Sequence, residues 1–141
     1  MAMDIPGMLN PRTLPDGVLD PMQYRKYSAD KETVVPVYSD DDDLGIVCWN
    51  LTPGQENESH MHPENAHCFL ILEGCGVYTQ GEPGSDEYRE IPVQQGQVVM
   101  IPRGQVHGIR NTGSDNLSYF AITTMAGEYK RIIDGVDTPP H

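Results

Sequence analysis

The stretch Gly54-Gln-Glu-Asn-Glu-Ser-His60-Met-His62-Pro-Glu-Asn-Ala-His67 contains three of the five histidines in the chain. Side chains alternate between the two faces of a β-strand, so His60 and His62 point to the same side if this stretch is extended. His67 opens the next predicted strand and can bring a third ring from there. Imidazole nitrogens are ligands for Zn, Fe, Ni, Mn and Cu, so the spacing predicts a metal site. Unrelated surface histidines are the alternative interpretation of the first two taken alone.

A second stretch, from Gly96 to Asn111, carries a histidine in a different setting. Pro102 ends an apolar run, because it cannot donate to a sheet ladder, and it stiffens the corner that presents His107. We expect Asn111 to hold the following turn through hydrogen bonds from its side chain to the backbone. Since His107 lies between two further predicted strands, it can supply a fourth imidazole to the same ion.

Together these stretches resemble the two motifs of the cupin family, G-x5-H-x-H-x(3,4)-E-x6-G and G-x5-P-x-G-x2-H-x3-N. The second motif is matched at every fixed position; in the first, His67 stands where the family usually has Glu. The resemblance spans about residues 44–124, with motifs at 54–74 and 96–111. It implies an all-β fold, a double-stranded β-helix or jelly-roll barrel, with a metal inside its mouth.

The resemblance also implies one divalent transition-metal ion per chain, of Fe, Zn, Ni, Mn or Cu. Its expected ligands are His60, His62, His67 and His107. A histidine in place of the usual glutamate raises the net charge of the site by one unit. A three-histidine site, in which His67 is not a ligand, is the alternative.

Composition narrows the class of protein. The chain has 141 residues, with 21 Asp and Glu against 9 Lys and Arg, and a formal net charge of −12. This length suits one domain with a real core. We expect no nucleic-acid partner, because phosphate binding needs clustered basic residues. No apolar run is long enough to cross a membrane. The chain has three cysteines and no Cys-x-x-Cys pair. We therefore expect small buried thiols and a reduced, cytoplasmic setting.

Turn signals divide the chain into short strands. Residues 1–33 hold four prolines and are predicted to form an extended N-terminal arm, with a turn of helix near 21–27. Residues 34–133 are predicted to form the barrel and 134–141 a flexible tail. Glycine and proline punctuation predicts an edge strand at 33–38 and further strands near 45–51, 58–62, 66–72, 75–80, 88–92, 97–101, 106–110, 116–124 and 129–133.

Inward residues beside the ligands are candidates for a substrate pocket. Alternation along a strand puts Phe69 and Ile71 on the face of His67. The full candidate set is Trp49, Phe69, Ile71, Tyr78, Met100 and Tyr119, with ordinary core packing as the alternative for each. Glu64, in the turn between ligands, is a candidate acid or base, with a solvated loop carboxylate as the alternative. Arg103 and Arg110 flank His107 and either clamp a substrate anion or face outward.

The function implied by the resemblance is that of a metal-dependent enzyme. We predict a dioxygenase-like oxidoreductase that acts on a small enol, diketone or phenolic compound. A non-redox Lewis-acid enzyme (a polyketide cyclase, isomerase or lyase) is the second interpretation, and a non-catalytic small-molecule-binding cupin is the third. The arm at 1–33 and outward-facing Leu70 and Leu72 predict a homodimer interface.

Overall fold

The structure, a computed structural model, describes residues 16–40 and 43–125. Its regular elements are one 3-10 helix, Pro21–Tyr24, and nine strands. The strands are β1 (Thr33–Ser39), β2 (Leu44–Leu51), β3 (Glu56–His60), β4 (His67–Glu73), β5 (Cys75–Gln80), β6 (Arg89–Gln94), β7 (Val98–Ile101), β8 (His107–Arg110) and β9 (Leu117–Thr124). Their bounds lie within a residue or two of the predicted strands.

Two antiparallel sheets make up the barrel. One has the strand order β1-β2-β9-β4-β7, and the other has the order β3-β8-β5-β6. Strand β1 lies at a sheet edge, as its proline predicted, and Pro36 is opposite Val47 at the start of a register shift. The all-β jelly-roll prediction is confirmed.

The inner core fills the space between the sheets. Along β4, buried residues alternate with half-buried ones, as expected of a strand with one face toward a core. The inner core consists of Val47, Trp49, Leu51, Phe69, Ile71, Tyr78, Val93, Val99, Ile101, Ile109, Leu117, Tyr119, Ala121 and Met125.

A second apolar cluster covers the outside of the five-stranded sheet. Val37, Cys48, Leu72 and Phe120 are buried there, and Leu19 and Tyr24 from the N-terminal segment (residues 16–32) pack against them. The rings of Tyr24 and Phe120 meet edge-on at 6.0 Å between centroids. The expectation that Leu72 faces an open surface was therefore wrong, because Leu72 is buried in this cluster, against which the chain's own N-terminal segment packs. Leu70 is half-buried.

The N-terminal segment is tied to the barrel by polar contacts. Asp20 Oδ1 caps the 3-10 helix by accepting from Met22 N at 3.1 Å. Glu73, at the end of β4, accepts from Arg25 Nη1 at 2.6 Å and from the Tyr27 hydroxyl at 2.5 Å. The predicted turn of helix near 21–27 is present as this shorter element.

Three expectations need correction or lie outside the structure. Strand β3 ends at His60 rather than at 62. Cys75 is exposed, whereas only Cys48 among the three thiols is buried. The predicted strand at 129–133, the tail at 134–141 and the arm before residue 16 lie outside the described residues. Within the described ranges, no helix has the length and apolar character that crossing a bilayer requires.

Candidate metal centre

Four histidines meet at one end of the barrel, each brought there by a different piece of backbone. His60 ends β3 and is opposite His107, the first residue of β8. His67 opens β4, opposite Ile101 and Thr123. His62 lies past the end of β3, where its carbonyl accepts a hydrogen bond from Gly104 N at 2.9 Å.

His62 reaches the cluster by a route that differs from the predicted one. The predicted strand runs through residue 62, but pairing in the structure stops at His60 after a register shift. The residue before a proline favours extended backbone even outside a sheet, and Pro63 follows His62 directly. The rings of His60 and His62 lie 4.9 Å apart between centroids.

Three of the four histidines form a compact donor set. One ligand nitrogen from each of His60, His62 and His107 can be chosen so that all lie within 4.8 Å of one another. His67 is outside this set but close to it, with its ring centroid 4.6 Å from that of His62 and 5.5 Å from that of His107. Its role as a fourth ligand stays a prediction.

Backbone carbonyls orient two of the rings. His107 Nδ1 lies 2.8 Å from the carbonyl oxygen of Gln105, and His60 Nδ1 lies 2.6 Å from that of Glu58. A carbonyl oxygen only accepts, so in both rings Nδ1 carries the proton and Nε2 keeps its lone pair. Metal-binding histidines are commonly oriented by such a bond from the other ring nitrogen.

The donor chemistry fits a transition-metal ion. His107 Nε2 is buried and has no hydrogen-bond partner among the described residues. Burial lowers the pKa of His107, and burial together with the charges of His62, His107 and His60 lowers that of His67 to about 2. Both rings are therefore neutral at physiological pH, which is the form that binds a metal.

The predicted pocket residues fall into two groups. Trp49, Phe69, Ile71, Tyr78 and Tyr119 are all buried in the inner core. Phe69 lies beside the histidines, with its ring centroid 6.0 Å from that of His107, and Tyr119 packs on Phe69 at 4.7 Å. The assignment of Met100 to the pocket was wrong. Its neighbour Val99 faces inward opposite Phe69, so Met100 faces outward and is 68% exposed.

The charged candidates stay outside the barrel. Glu64 is exposed in the loop before β4, which favours the solvated interpretation. Arg103 is exposed in the loop before β8. Arg110 forms an ion pair with Glu90, with 3.0 Å between Nη2 and Oε2. Neither arginine belongs to the buried set among the described residues.

A groove of about 610 Å³ reaches the cluster at His60. It is lined by residues 30–32 on one side, by residues 54–60 on the other, and by Trp49. Gln55 Nε2 donates to the carbonyl of Ser28 at 2.8 Å, which ties the N-terminal segment to the loop before β3. No local sequence pattern indicates this groove, because its two sides lie far apart in the chain.

Asn57 is a site residue that the sequence analysis missed. It is opposite Ile109, faces inward and is only 4% exposed. Its Nδ2 donates to the Tyr119 hydroxyl at 3.1 Å, while its Oδ1 is buried without a partner. Its position one residue after Glu56 in a polar stretch gave no signal of burial.

Comparison with known proteins identifies the family. A cupin domain model matches residues 47–123. The oxalate-binding protein of Thermotoga maritima is 31% identical over 75 residues, which make up 53% of this chain and 57% of that protein. This chain thus spans little more than half the length of that relative.

Solved structures share the fold. A structure from Thermus thermophilus has a TM-score of 0.67 at 24% identity, covering 76% of this chain and 95% of that one. A protein with a double-stranded beta-helix domain from Klebsiella pneumoniae has a TM-score of 0.64 at 25% identity, covering 76% and 88%. A predicted oxalate decarboxylase from Thermotoga maritima has a TM-score of 0.51 at 28% identity, covering 57% and 64%. With its family match extending over more than half its residues, the chain belongs to the cupin family.

Proposed function

We propose that the chain is a metal-dependent cupin enzyme that acts, in the manner of a dioxygenase, on a small enol, diketone or phenolic compound. One observation carries the proposal: His60, His62 and His107 converge at the end of a groove, with a buried His107 nitrogen left for a ligand. An ion bound there supplies Lewis acidity and, if it is Fe, Cu or Ni, reactivity toward dioxygen.

The chain's own residues prepare the site for such chemistry. The carbonyls of Glu58 and Gln105 fix the ring tautomers, so that no proton has to move before a metal binds. Phe69 lies beside the ring of His107 and Tyr119 packs on Phe69, so buried aromatic rings border the inner side of the cluster. The groove has a volume within the range of small-molecule sites, about 300–1,000 Å³, and its polar and apolar lining suits a small oxygenated ligand.

Metal content is the first test. We expect purified protein to hold close to one transition-metal ion per chain, and His60→Ala or His107→Ala to lose most of it while keeping the circular dichroism of the barrel. Cys75→Ser, which removes an exposed potential ligand outside the cluster, is the control and should keep its metal. Near-normal metal in the His60→Ala/His107→Ala double variant would contradict the proposal.

Oxygen uptake is the second test. Protein loaded with the ion that it holds natively should consume dioxygen when 2,4-pentanedione or catechol is added, and the histidine variants should not. Conversion of these compounds under strict exclusion of oxygen would instead support the Lewis-acid cyclase, isomerase or lyase alternative.

The named relatives favour a second candidate. One is called an oxalate-binding protein and another a predicted oxalate decarboxylase. For this chain, the second candidate is therefore either a lyase that acts on a dicarboxylate or a non-catalytic module that binds one. Release of formate and carbon dioxide from oxalate would support the lyase. Tight binding of oxalate without turnover of any tested compound would support the binding module.

A further inference from the structure

We infer that Gln105, held by the hydroxyl of Tyr78, is a positioning residue of the metal centre. Its bond to Tyr78 fixes the loop between β7 and β8 (residues 102–106), and this loop holds two of the three clustered histidines in place. The inference rests on the proposed function, since it adds residues to the same metal centre. Two observations carry it: the contacts of the loop with the histidines, and the buried side chain to which the loop is tied.

The loop contacts two of the expected metal ligands through its backbone. His107 Nδ1 donates to the Gln105 carbonyl at 2.8 Å, and Gly104 N donates to the His62 carbonyl at 2.9 Å. The first bond orients the His107 ring and leaves Nε2 for a ligand. The second holds His62 where it lies past the end of β3. A shift of this loop therefore moves two donor nitrogens relative to that of His60.

Burial does little to hold the loop itself. Residues 102–104 are exposed. Gly81 N donates to the Val106 carbonyl at 2.9 Å, which anchors only the last residue before β8. Among the described residues, the one side-chain hydrogen bond that joins the loop to the barrel wall runs from Gln105 Nε2 to the Tyr78 hydroxyl.

Tyr78 is a firm support for this bond. It lies in β5, is only 3% exposed and packs in the inner core. Strand β5 pairs with β8 so that Tyr78 is opposite Ile109 and Gln80 is opposite His107. Residues opposite each other in such a pair share a face, and so do residues two apart along a strand. Tyr78 therefore lies on the same inner face as His107, one pair further into the barrel.

Two variants remove the bond from its two ends. Tyr78→Phe keeps the ring in the core and deletes only the hydroxyl, whereas Gln105→Leu removes the amide and leaves the backbone carbonyl. Tyr27→Phe is the matched control, because it also deletes a part-buried hydroxyl with a side-chain partner. That partner is Glu73, at the end of β4 away from the histidines.

Amide exchange in the metal-free protein is the first readout. We expect the Gly104 amide to exchange with solvent about tenfold faster in Tyr78→Phe and in Gln105→Leu, because its bond to His62 then opens more often. The Gly54 amide, which donates to a carbonyl in another loop, should keep its rate. Nuclear magnetic resonance measures both amides in one sample, without any metal.

Cobalt(II) binding is the second readout. Chelator competition should show about tenfold weaker affinity in Tyr78→Phe and in Gln105→Leu. The double variant should lose no more than about twofold beyond either single variant, because both act through one bond. At saturating cobalt(II), the visible absorption bands of both variants should shift, since the donor geometry has changed. Tyr27→Phe should match wild type in affinity and spectrum, and denaturant unfolding checks that each variant is folded.

Wild-type exchange at Gly104 in a folded Tyr78→Phe or Gln105→Leu variant overturns the inference. So do an unchanged cobalt(II) spectrum, losses of affinity that add in the double variant, or a Tyr27→Phe variant that loses as much affinity as the other two. Wild-type protein that binds no cobalt(II) would instead remove the proposed function, whereas normal wild-type binding together with any of the results above removes the inference alone.

Discussion

At the scale of single residues, the site depends on where protons and lone pairs are held. His60 and His107 each donate from Nδ1 to a carbonyl two residues earlier in the chain, which leaves the other nitrogen as a ligand. Asn57 and Asn111 show two uses of a buried amide. Asn57 keeps an oxygen without a partner, whereas Asn111 satisfies its groups by holding backbone.

The metal-free protein should become less stable as the pH falls into the acidic range. His67 and His107 have lowered pKa values in the fold, that of His67 being about 2, whereas an unfolded histidine titrates near about 6.5. Below that pH the unfolded chain binds protons that the folded chain does not. The free energy of unfolding should then drop by up to about 1.4 kcal/mol per pH unit through His67, and His107 should add to the fall.

Urea unfolding of chelator-treated protein between about pH 7 and pH 5 measures this slope. His67→Gln removes one of the two groups and should flatten the profile. An unfolding free energy that stays level across the same range would contradict the assignment of buried neutral rings.

Asn111 should matter for stability far more than an exposed asparagine nearby. Its Nδ2 donates to the carbonyls of Leu51 and Asp115, and its Oδ1 accepts from Gly113 N. Asn111→Ala leaves the buried carbonyl of Leu51 without this donor and removes two part-buried bonds, so we expect a loss of about 2–4 kcal/mol in the free energy of unfolding. Exposed Asn116→Ala should stay within about 0.5 kcal/mol of wild type. Equal losses in the two variants would show that these bonds contribute little.

At the scale of strands and turns, the fold depends on positions where two backbone segments come into close contact. The turn from β4 to β5 at Gly74 passes against the residues that lead into β9. A Cβ added at Gly74 would lie 2.1 Å from Asn116 O, and the residue has φ of +82°. The last glycine of the first motif thus marks contact between two loops as well as a turn.

A pair of alanine substitutions separates these two effects. Gly54 has φ of +90° but nothing within 4 Å of an added Cβ, so Gly54→Ala should cost only about 1–2 kcal/mol of left-handed strain. Gly74→Ala adds a clash with backbone and should cost at least about 2 kcal/mol more. Denaturant unfolding of both variants measures the difference, and equal costs would mean that the loops separate without penalty.

The sequence predicts the strands because glycine and proline mark nearly every turn. The meeting of His60, His62 and His107 is predicted from alternation along one strand and from the resemblance to the two motifs, although His62 lies past the end of that strand. The prediction is wrong for Met100. Which side chains of the short apolar strand β7 face inward depends on its pairing with Phe69 of β4, and no local sequence pattern shows that pairing. Asn57 escapes notice for the same reason, since its burial depends on Ile109 and Tyr119, far along the chain.

At the scale of the whole molecule, the described residues cover the outside of the five-stranded sheet only in part. Leu19 and Tyr24 protect the middle of that face. Toward the edge strand β7, Val98 is 53% exposed and Met100 68% exposed. The homodimer expected from the sequence stays a prediction, and this edge is where we place its contact, because a second copy would cover both side chains.

Sedimentation of the full chain tests that placement. We expect wild-type protein to sediment as a dimer at micromolar concentration and Val98→Lys/Met100→Lys to sediment as a monomer. Arg89→Glu/Glu90→Lys, on the opposite sheet, is the control and should remain a dimer. A wild-type monomer, or a lysine variant that still dimerises, would contradict it.

The tie between Gln55 and Ser28 has a consequence for comparing relatives. The family match begins at residue 47, yet one side of the groove is contributed by residues 30–32. Relatives that agree throughout the matched region can therefore share an ion while differing in the molecules they accept. Substrate assignments within this group should therefore be compared through the segment that precedes the first matched strand as well as through the metal ligands.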